Sequence, residues 1–467
     1  MSEAGPASSI RYPLTRELAD TCLARARAPL PAEVNETARH TLLDWLGTTI
    51  SGWADPSVAM LEETIREDAA APRATLLGSG FRTSVRDAAL VNGMASHVLD
   101  FDDVHLGSRV HPSVPLWSAI LAICERDGLN GQRALSAFVA GVEMQSRIAL
   151  VMGEEHYRRG WHNTATFGMF GATLACAALL DLTFEQTQHA LGICATQAAG
   201  LRAAFGTMCK PLHAGHAAST GVLAASLAKR GFTSRTDMLE CDAGFVELYA
   251  GARSNEAIAA SLAGAPDYQA RTILFKYNAS CYGTQGPIEA CKLLRQQLGD
   301  RLDAIEAIDI RVEPQYLSVC CIAEPVTGLE AKFSIAQMAA LTLAGWSTVD
   351  ANSYSAQALD DPLILALRQR VTITPNPRQP RASTDVALVL KDGTRLAQHV
   401  DTSKPESDLA RQAKQLRAKA TSLLRERLVD AQVEPIVQTV LRFDDVANVR
   451  DFIATVTAAL RIARLTT

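Results

Sequence analysis

The sequence predicts a mainly α fold: a large all-helical domain over residues 1–270, a smaller α+β domain over 271–404, and C-terminal helices over 405–467 that return to the helical domain. Three observations predict it. From Pro31 to about Cys291, Ala- and Leu-rich segments with apolar residues at helical spacing alternate with short Gly or Asn-Gly breaks. After about residue 300 the apolar period shortens to two, the mark of half-buried strands. Beyond Pro405 the helical period resumes. At 467 residues the chain is long enough for two or three domains of roughly 100 to 200 residues each.

Taken in order, Val34, Ala38, Leu42, Trp45, Leu46 and Ile50 place one helical face after Pro31, and Gly52 supplies its stop. Leu116 to Cys124 repeats the pattern, Asp127-Gly128-Leu129-Asn130-Gly131 breaks it, and Leu135 to Leu150 begins another helix. Thr183-Phe184-Glu185-Gln186 is a capping box, so the helix through Leu191 and Ala195 starts there. The helix opened by Lys210-Pro211 runs to Lys229, with Gly231 as its left-handed terminator. Ile308, Ile310 and Val312 alternate with Asp309 and Arg311 as a strand, and a second strand is expected at Val371 to Thr374. Val386 to Leu390 followed by Lys391-Asp392-Gly393-Thr394 predicts a strand and the turn of a hairpin. The last helices are expected at Leu409 to Leu428, Val433 to Leu441 and Val446 to Leu460.

Charge narrows the partners. With 45 basic and 50 acidic residues the net is -5, and no dense Lys/Arg run occurs. That argues against a nucleic-acid or anionic-membrane surface and favours small-molecule chemistry. The ten cysteines form no CxxC pair and fall mostly among apolar neighbours, as reduced core cysteines do, the adjacent Cys320 and Cys321 included. The first residues carry no basic stretch followed by an apolar one, and no uninterrupted apolar run approaches the roughly 20 residues that span a bilayer. A cytoplasmic protein is the expectation.

Three stretches place a basic side chain in front of an apparent helix start: His111-Pro112-Ser113, His162-Asn163-Thr164 and Lys210-Pro211-Leu212. Proline suits the first helical position, and Asn and Thr cap by accepting from free N–H groups. A helix start carries about half a unit of positive charge, which favours carboxylates and opposes protonation of a neighbouring Lys or His. A base and an anion cradle would then coincide. The densest chemical stretch is His97-Val98-Leu99-Asp100-Phe101-Asp102-Asp103-Val104-His105. Its histidines and carboxylates are ligand types for zinc or iron, but the spacing matches no common ligand motif such as HExxH, so a metal-dependent hydrolase is the lesser alternative. The plain structural alternative has Asp102 and Asp103 capping a surface turn and His97 in the core. What favours a site is the set, because Asp100, His111, His162 and Lys210 supply acid, base and anion-binding groups from separate helix ends. His213 and His216 share a helix face, and Glu143 with Arg147 four residues on fits a structural ion pair. Tyr282 and Arg202 are candidates without an assigned role.

The stretches Leu99-Asp100-Phe101-Asp102-Asp103, His111-Pro112-Ser113, Trp161-His162-Asn163-Thr164-Ala165-Thr166-Phe167-Gly168 and Lys210-Pro211-Leu212-His213-Ala214-Gly215 resemble, in the same order, the motifs of the MmgE/PrpD family. The resemblance covers nearly the whole chain. It implies a helical domain built from the N-terminal part and the C-terminal tail, an α+β lid domain, and a homodimer. It also implies chemistry without metal or organic cofactor, in which a C–H bond is made or broken beside a carboxylate of a small polycarboxylate. Family activities include 2-methylcitrate dehydratase, cis-aconitate decarboxylase and iminodisuccinate epimerase. Overall similarity puts epimerisation of iminodisuccinate first and a dehydratase-like or decarboxylase-like lyase second; a non-catalytic polycarboxylate-binding protein is the alternative of another class. The implied catalytic residues are His162 and Lys210, acting on the α-proton, and Asp100, orienting a histidine. His111 and Lys276, in Phe275-Lys276-Tyr277, would bind substrate carboxylates, with His213 beside them. Two positions depart from the itaconate-forming decarboxylases, which carry Thr after the DFDD motif and Tyr in a lid helix; this chain has Val104 and Gln337.

Overall fold

The Asn163–Leu179 helix carries no charged residue and is buried on almost every side, so it becomes the centre of the helical domain. In the computed structural model, which describes residues 11–265 and 267–466, the helices Ser113–Asp127, Gly131–Arg158 and Cys209–Lys229 pack around it. Among the described residues Gly131–Arg158 is long and apolar enough to cross a membrane, yet 83% of its apolar window is buried inside the protein, as in a core helix.

The helix Val85–His97 lies along Cys209–Lys229. A Cβ on Gly93 would fall 2.7 Å from the Gly215 Cα, and one on Gly215 would fall 2.0 Å from the Leu90 carbonyl oxygen. Only glycine permits so close a crossing. It brings His97, the last residue of one helix, to Lys210 in the first turn of the other. The apolar face of Val85–His97 is built largely from Ala and Gly, which is why this helix gave no strong periodic signal in the sequence.

One hydrophobic core runs from Leu14 to Phe275 and takes in Leu416 to Leu460; a second, from Cys281 to Leu390, belongs to the α+β part. The C-terminal helices Leu409–Arg425, Asp430–Leu441 and Val449–Thr466 therefore pack on the helical domain. Leu409–Arg425 lies on Ala32–Gly52, where Gln412 Nε2 donates to His40 Nδ1 at 2.9 Å and Lys419 Nζ lies 2.6 Å from Asp44.

The α+β part holds a four-stranded sheet in the order Val371–Pro375, Ile305–Val312, Ser383–Leu390, Arg395–Asp401, the first pair parallel and the others antiparallel. The expected hairpin turn is there: Gly393 has φ +81° and Asp392 Oδ1 accepts from the Thr394 N–H at 2.9 Å. Helix Tyr282–Leu298 covers the sheet, with Ile335–Ala344 beside it.

The three helix starts differ from expectation in detail. Pro112 caps the Ser113 helix instead of opening it, and Lys210 is already the second residue of its helix. Asn163 and Thr164 do not cap. They tie the neighbouring loop instead, Asn163 Nδ2 donating to the Ser108 carbonyl and Thr164 Oγ1 accepting from the His111 N–H.

Candidate active site

The loop Leu99–Asp103 joins the Val85 helix to the strand-like turn before Ser113, and its carbonyls have no helix or sheet partners. Buried carbonyls require donors, and here they come from four directions. Lys332 Nζ reaches the Leu99 oxygen (2.8 Å), Lys276 Nζ that of Asp100 (2.8 Å), Lys419 Nζ that of Phe101 (2.5 Å), and His111 Nδ1 that of Asp103 (3.0 Å). Asp100 itself is left-handed (φ +50°), a conformation Asp tolerates better than most residues.

The side chains of the same loop set the charges. Asp100 Oδ1 accepts from Lys210 Nζ and Lys276 Nζ, both at 2.9 Å. Burial alone would raise its pKa, but the two lysines hold it well below the usual carboxylate range. Asp102 Oδ1 bonds His97 Nδ1 at 2.9 Å, and its Oδ2 lies 2.8 Å from His111 Nδ1. Burial is again the largest influence and again loses, here to His97 and His111, so Asp102 stays low. With Nδ1–H given to Asp102, His97 Nε2 accepts from Lys210 Nζ at 2.8 Å; this tautomer follows from the hydrogen-bond network. The chain Asp102–His97–Lys210 is thus continuous. Burial pushes His97 down to about 4 and, with Lys210, pushes His162 well below its ordinary value, so both rings are neutral near pH 7.

Asp100, His111, His162 and Lys210 line one cavity that opens to solvent. Phe205 and Phe333 stand over Lys210 Nζ, their ring centres 5.8 and 5.3 Å away, and give that end an apolar lining. His162 Nδ1 meets His213 Nδ1 at 3.0 Å. A contact between two ring nitrogens holds one proton when both rings are neutral, so His162 can present Nε2 either as a lone pair or as an N–H.

Several expectations need correction. Lys276 does not line the cavity; it is fully buried beneath Asp100, bonded to that residue's carbonyl and carboxylate. His213 stands behind His162 and outside the cavity wall, while His216 is exposed. Asp100 orients lysines; the carboxylate that orients histidines is Asp102. The Ser113 helix start is no free anion cradle, because Asp103 takes the Ser113 N–H at 3.1 Å and its hydroxyl at 2.5 Å. Tyr282 lines the cavity with its hydroxyl given to the Thr402 carbonyl (2.6 Å), and Arg202 lies outside, over the Tyr157 ring. Gln337 is buried and bonded to Arg368, away from the cavity, whereas Val104 is in the wall. The Glu143–Arg147 pair is present at 3.0 Å, and Cys320 is buried.

Other groups carried no catalytic role in the sequence. His97 stood there only as a possible metal ligand or a core histidine. Lys419 falls on the buried stripe of its helix, three residues after Leu416 and four before Leu423, a placement that marks a charged residue with a partner. Arg109 and Arg381 come from separate domains and gave no local signal. Cys281 also lines the cavity, its thiol held below the usual range chiefly by a hydrogen bond with Cys320.

The metal alternative can be tested on the donor set. His97, Asp100, Asp102 and His111 bring one ligand atom each within 4.8 Å of one another. Lys210 Nζ, however, occupies both His97 Nε2 and Asp100 Oδ1, and Lys276 Nζ takes Asp100 Oδ1 as well. Ammonium groups hold those two atoms, which weakens the set as a metal site, although Asp100 Oδ2 and Asp102 Oδ2 are buried with no hydrogen-bond partner among the described residues.

Residues 16–257 match the MmgE/PrpD N-terminal domain and residues 278–443 the MmgE/PrpD C-terminal domain. The cis-aconitate decarboxylase-like protein oryM of Aspergillus oryzae is 26% identical over 77% of this chain and 79% of its own. The cis-aconitate decarboxylase of Aspergillus terreus is 26% identical over 73% and 74%, and that of Homo sapiens 29% identical over 68% and 67%. With both family domains matched in order along the chain, and with the sequence motifs gathered around one cavity, this protein belongs to the MmgE/PrpD family.

Proposed function

We propose that the cavity carries out a lyase reaction at a carbon next to a carboxylate of a small polycarboxylate, with Lys210 and His162 moving the proton. The observation that carries this reading is Lys210 Nζ, fixed between His97 Nε2 and Asp100 Oδ1 in the wall that also holds His162. In a decarboxylation the C–C bond leaves its electron pair on carbon as CO₂ departs, and a proton must be delivered; Lys210 is the donor. In a dehydration the pair comes from a C–H bond as hydroxide leaves. His162 Nε2 then takes the proton and Lys210 gives one to the departing oxygen. In both courses fixed positive groups face the developing negative charge, the largest contribution expected of such a site, and proton transfer adds about 10²- to 10⁴-fold.

The relatives named cis-aconitate decarboxylase support placing a lyase ahead of the epimerisation expected from the sequence, which they do not support. Val104 in the cavity wall supplies no hydroxyl where the itaconate-forming enzymes carry Thr, so dehydration stands beside decarboxylation. One observation favours an epimerase as the second reading: two proton-handling groups, with the His162–His213 contact letting His162 serve as acid or base.

The test is a proton NMR time course in D₂O with chelator-treated protein and, separately, cis-aconitate, 2-methylcitrate, citrate and the iminodisuccinate stereoisomers. Loss of CO₂ with deuterium uptake, or an olefin growing from a hydroxy acid, is the expected result. Interconversion of stereoisomers alone would replace the lyase by an epimerase, and no change with any compound would overturn both.

A further inference from the structure

We propose that Arg109 and Arg381 form a second carboxylate subsite in the cavity wall, one arginine from each domain, so that the substrate is held at a carboxylate remote from the reacting carbon. The inference rests on the polycarboxylate reading above and goes beyond it by assigning the residues that demand the second charge. Both arginines line the cavity that holds Lys210 and His162. Glu154 joins them: it accepts from Arg109 Nη2 and, at 2.9 Å, from Arg381 Nη2. Arg381 also donates to the Leu106 carbonyl at 3.4 Å. Arg109 stacks on the Tyr157 ring, 4.7 Å from its centre, and this fixes the plane of its fork.

Glu154 leaves each fork only partly used. Arg109 Nη1 is buried with no hydrogen-bond partner among the described residues, and a buried, unpaired guanidinium N–H is costly until an acceptor arrives. Glu313 is also in this wall, so the two acids balance the two guanidinium charges. What the place offers is therefore directed donors more than net charge. Planar donors in a fixed fork match a carboxylate bidentately. Glu154 is 63% exposed at its side chain, so it can turn to solvent as a ligand carboxylate takes its place.

Calorimetric titration with cis-aconitate and citrate, which needs no turnover, tests this on the full-length wild type and on the Arg109→Gln, Arg381→Gln and Glu154→Gln variants, each first shown to keep its melting temperature within a few degrees. Each arginine variant should weaken binding about 10- to 100-fold. Glu154→Gln weakens the same cross-domain contact, because its amide can accept from only one of the two arginines and carries no charge, but it keeps both guanidinium groups, so its binding should be unchanged or tighter. Citrate amidated at one terminal carboxylate should bind wild type more weakly and lose little further on Arg109→Gln. Unchanged affinity in both arginine variants, equal losses in all three variants, or no binding of either acid to wild type would overturn the subsite. If binding depends on the arginines while the NMR series shows no reaction, the subsite stands and the lyase reading falls.

Discussion

Asp102 serves two imidazoles at once, and the proton positions of the site depend on it. Its carboxylate holds Nδ1–H on His97, which leaves Nε2 to receive Lys210, and it lies beside Nδ1 of His111. Asp102→Asn keeps the shape but presents an amide N–H₂ to one of two ring nitrogens that are themselves donors, so one ring must change tautomer or lose its bond. A fall in kcat of about 10²- to 10⁴-fold with KM altered only several-fold is expected. Steady-state kinetics on the best substrate of the NMR series checks this, and a wild-type kcat would remove the Asp102–His97–Lys210 chain from the mechanism. At this scale Asp100, His111, His162 and Lys210 were legible because each sits in a short motif at a helix end. Asp102 and His97 were visible as residue types only. The second partner of His97, Lys210, arrives from a helix more than 100 residues away in sequence, and no local spacing encodes that meeting.

The Leu409–Arg425 helix is the element that links the C-terminal tail to the site. Lys419 never reaches the cavity, yet its Nζ holds the Phe101 and Lys276 carbonyls and pairs with Asp44. Burial raises the Asp44 carboxyl to about 6 even with Lys419 beside it. Lys419→Met leaves that carboxyl buried without its partner and frees two loop carbonyls, so a loss of roughly 3–5 kcal/mol is expected. Activity should fall with stability, and Asp44→Asn added to Lys419→Met should restore part of both; urea unfolding alongside turnover measures the two together. If Lys419→Met were as stable and active as wild type, the tail would be packing without consequence for the loop. The elements themselves were readable where periodicity was strong, as in the Ile308–Val312 strand and the Asp392-Gly393 turn. Val85–His97 was not, because a helix that packs through Ala and Gly presents little apolar contrast.

Across the whole molecule, burial has placed histidines where they resist protonation. It pushes His40, His97, His105 and His213 down to about 4 and His156 to about 3. The unfolded chain takes up protons on these rings below about 6.5, and the folded chain does not until about 4. Stability is therefore full above about 6.5 and is lost as the pH falls toward 4, offset in part by Asp44, which gains its proton in the folded state first. The melting temperature should drop steadily between pH 6.5 and 4, and a flat or rising profile would show that the raised carboxyls prevail. The division into a helical part and an α+β part was legible in the change of period. The cavity wall was not, since Arg109, Arg381, Tyr316 and Phe333 meet there only after the two parts pack. The most direct test of the account is the deuterium NMR time course run on wild type and Lys210→Met together. The account predicts turnover of a polycarboxylate by wild type and its loss in a Lys210→Met protein that still folds, because Lys276 continues to neutralise Asp100. Undiminished turnover by Lys210→Met would contradict it.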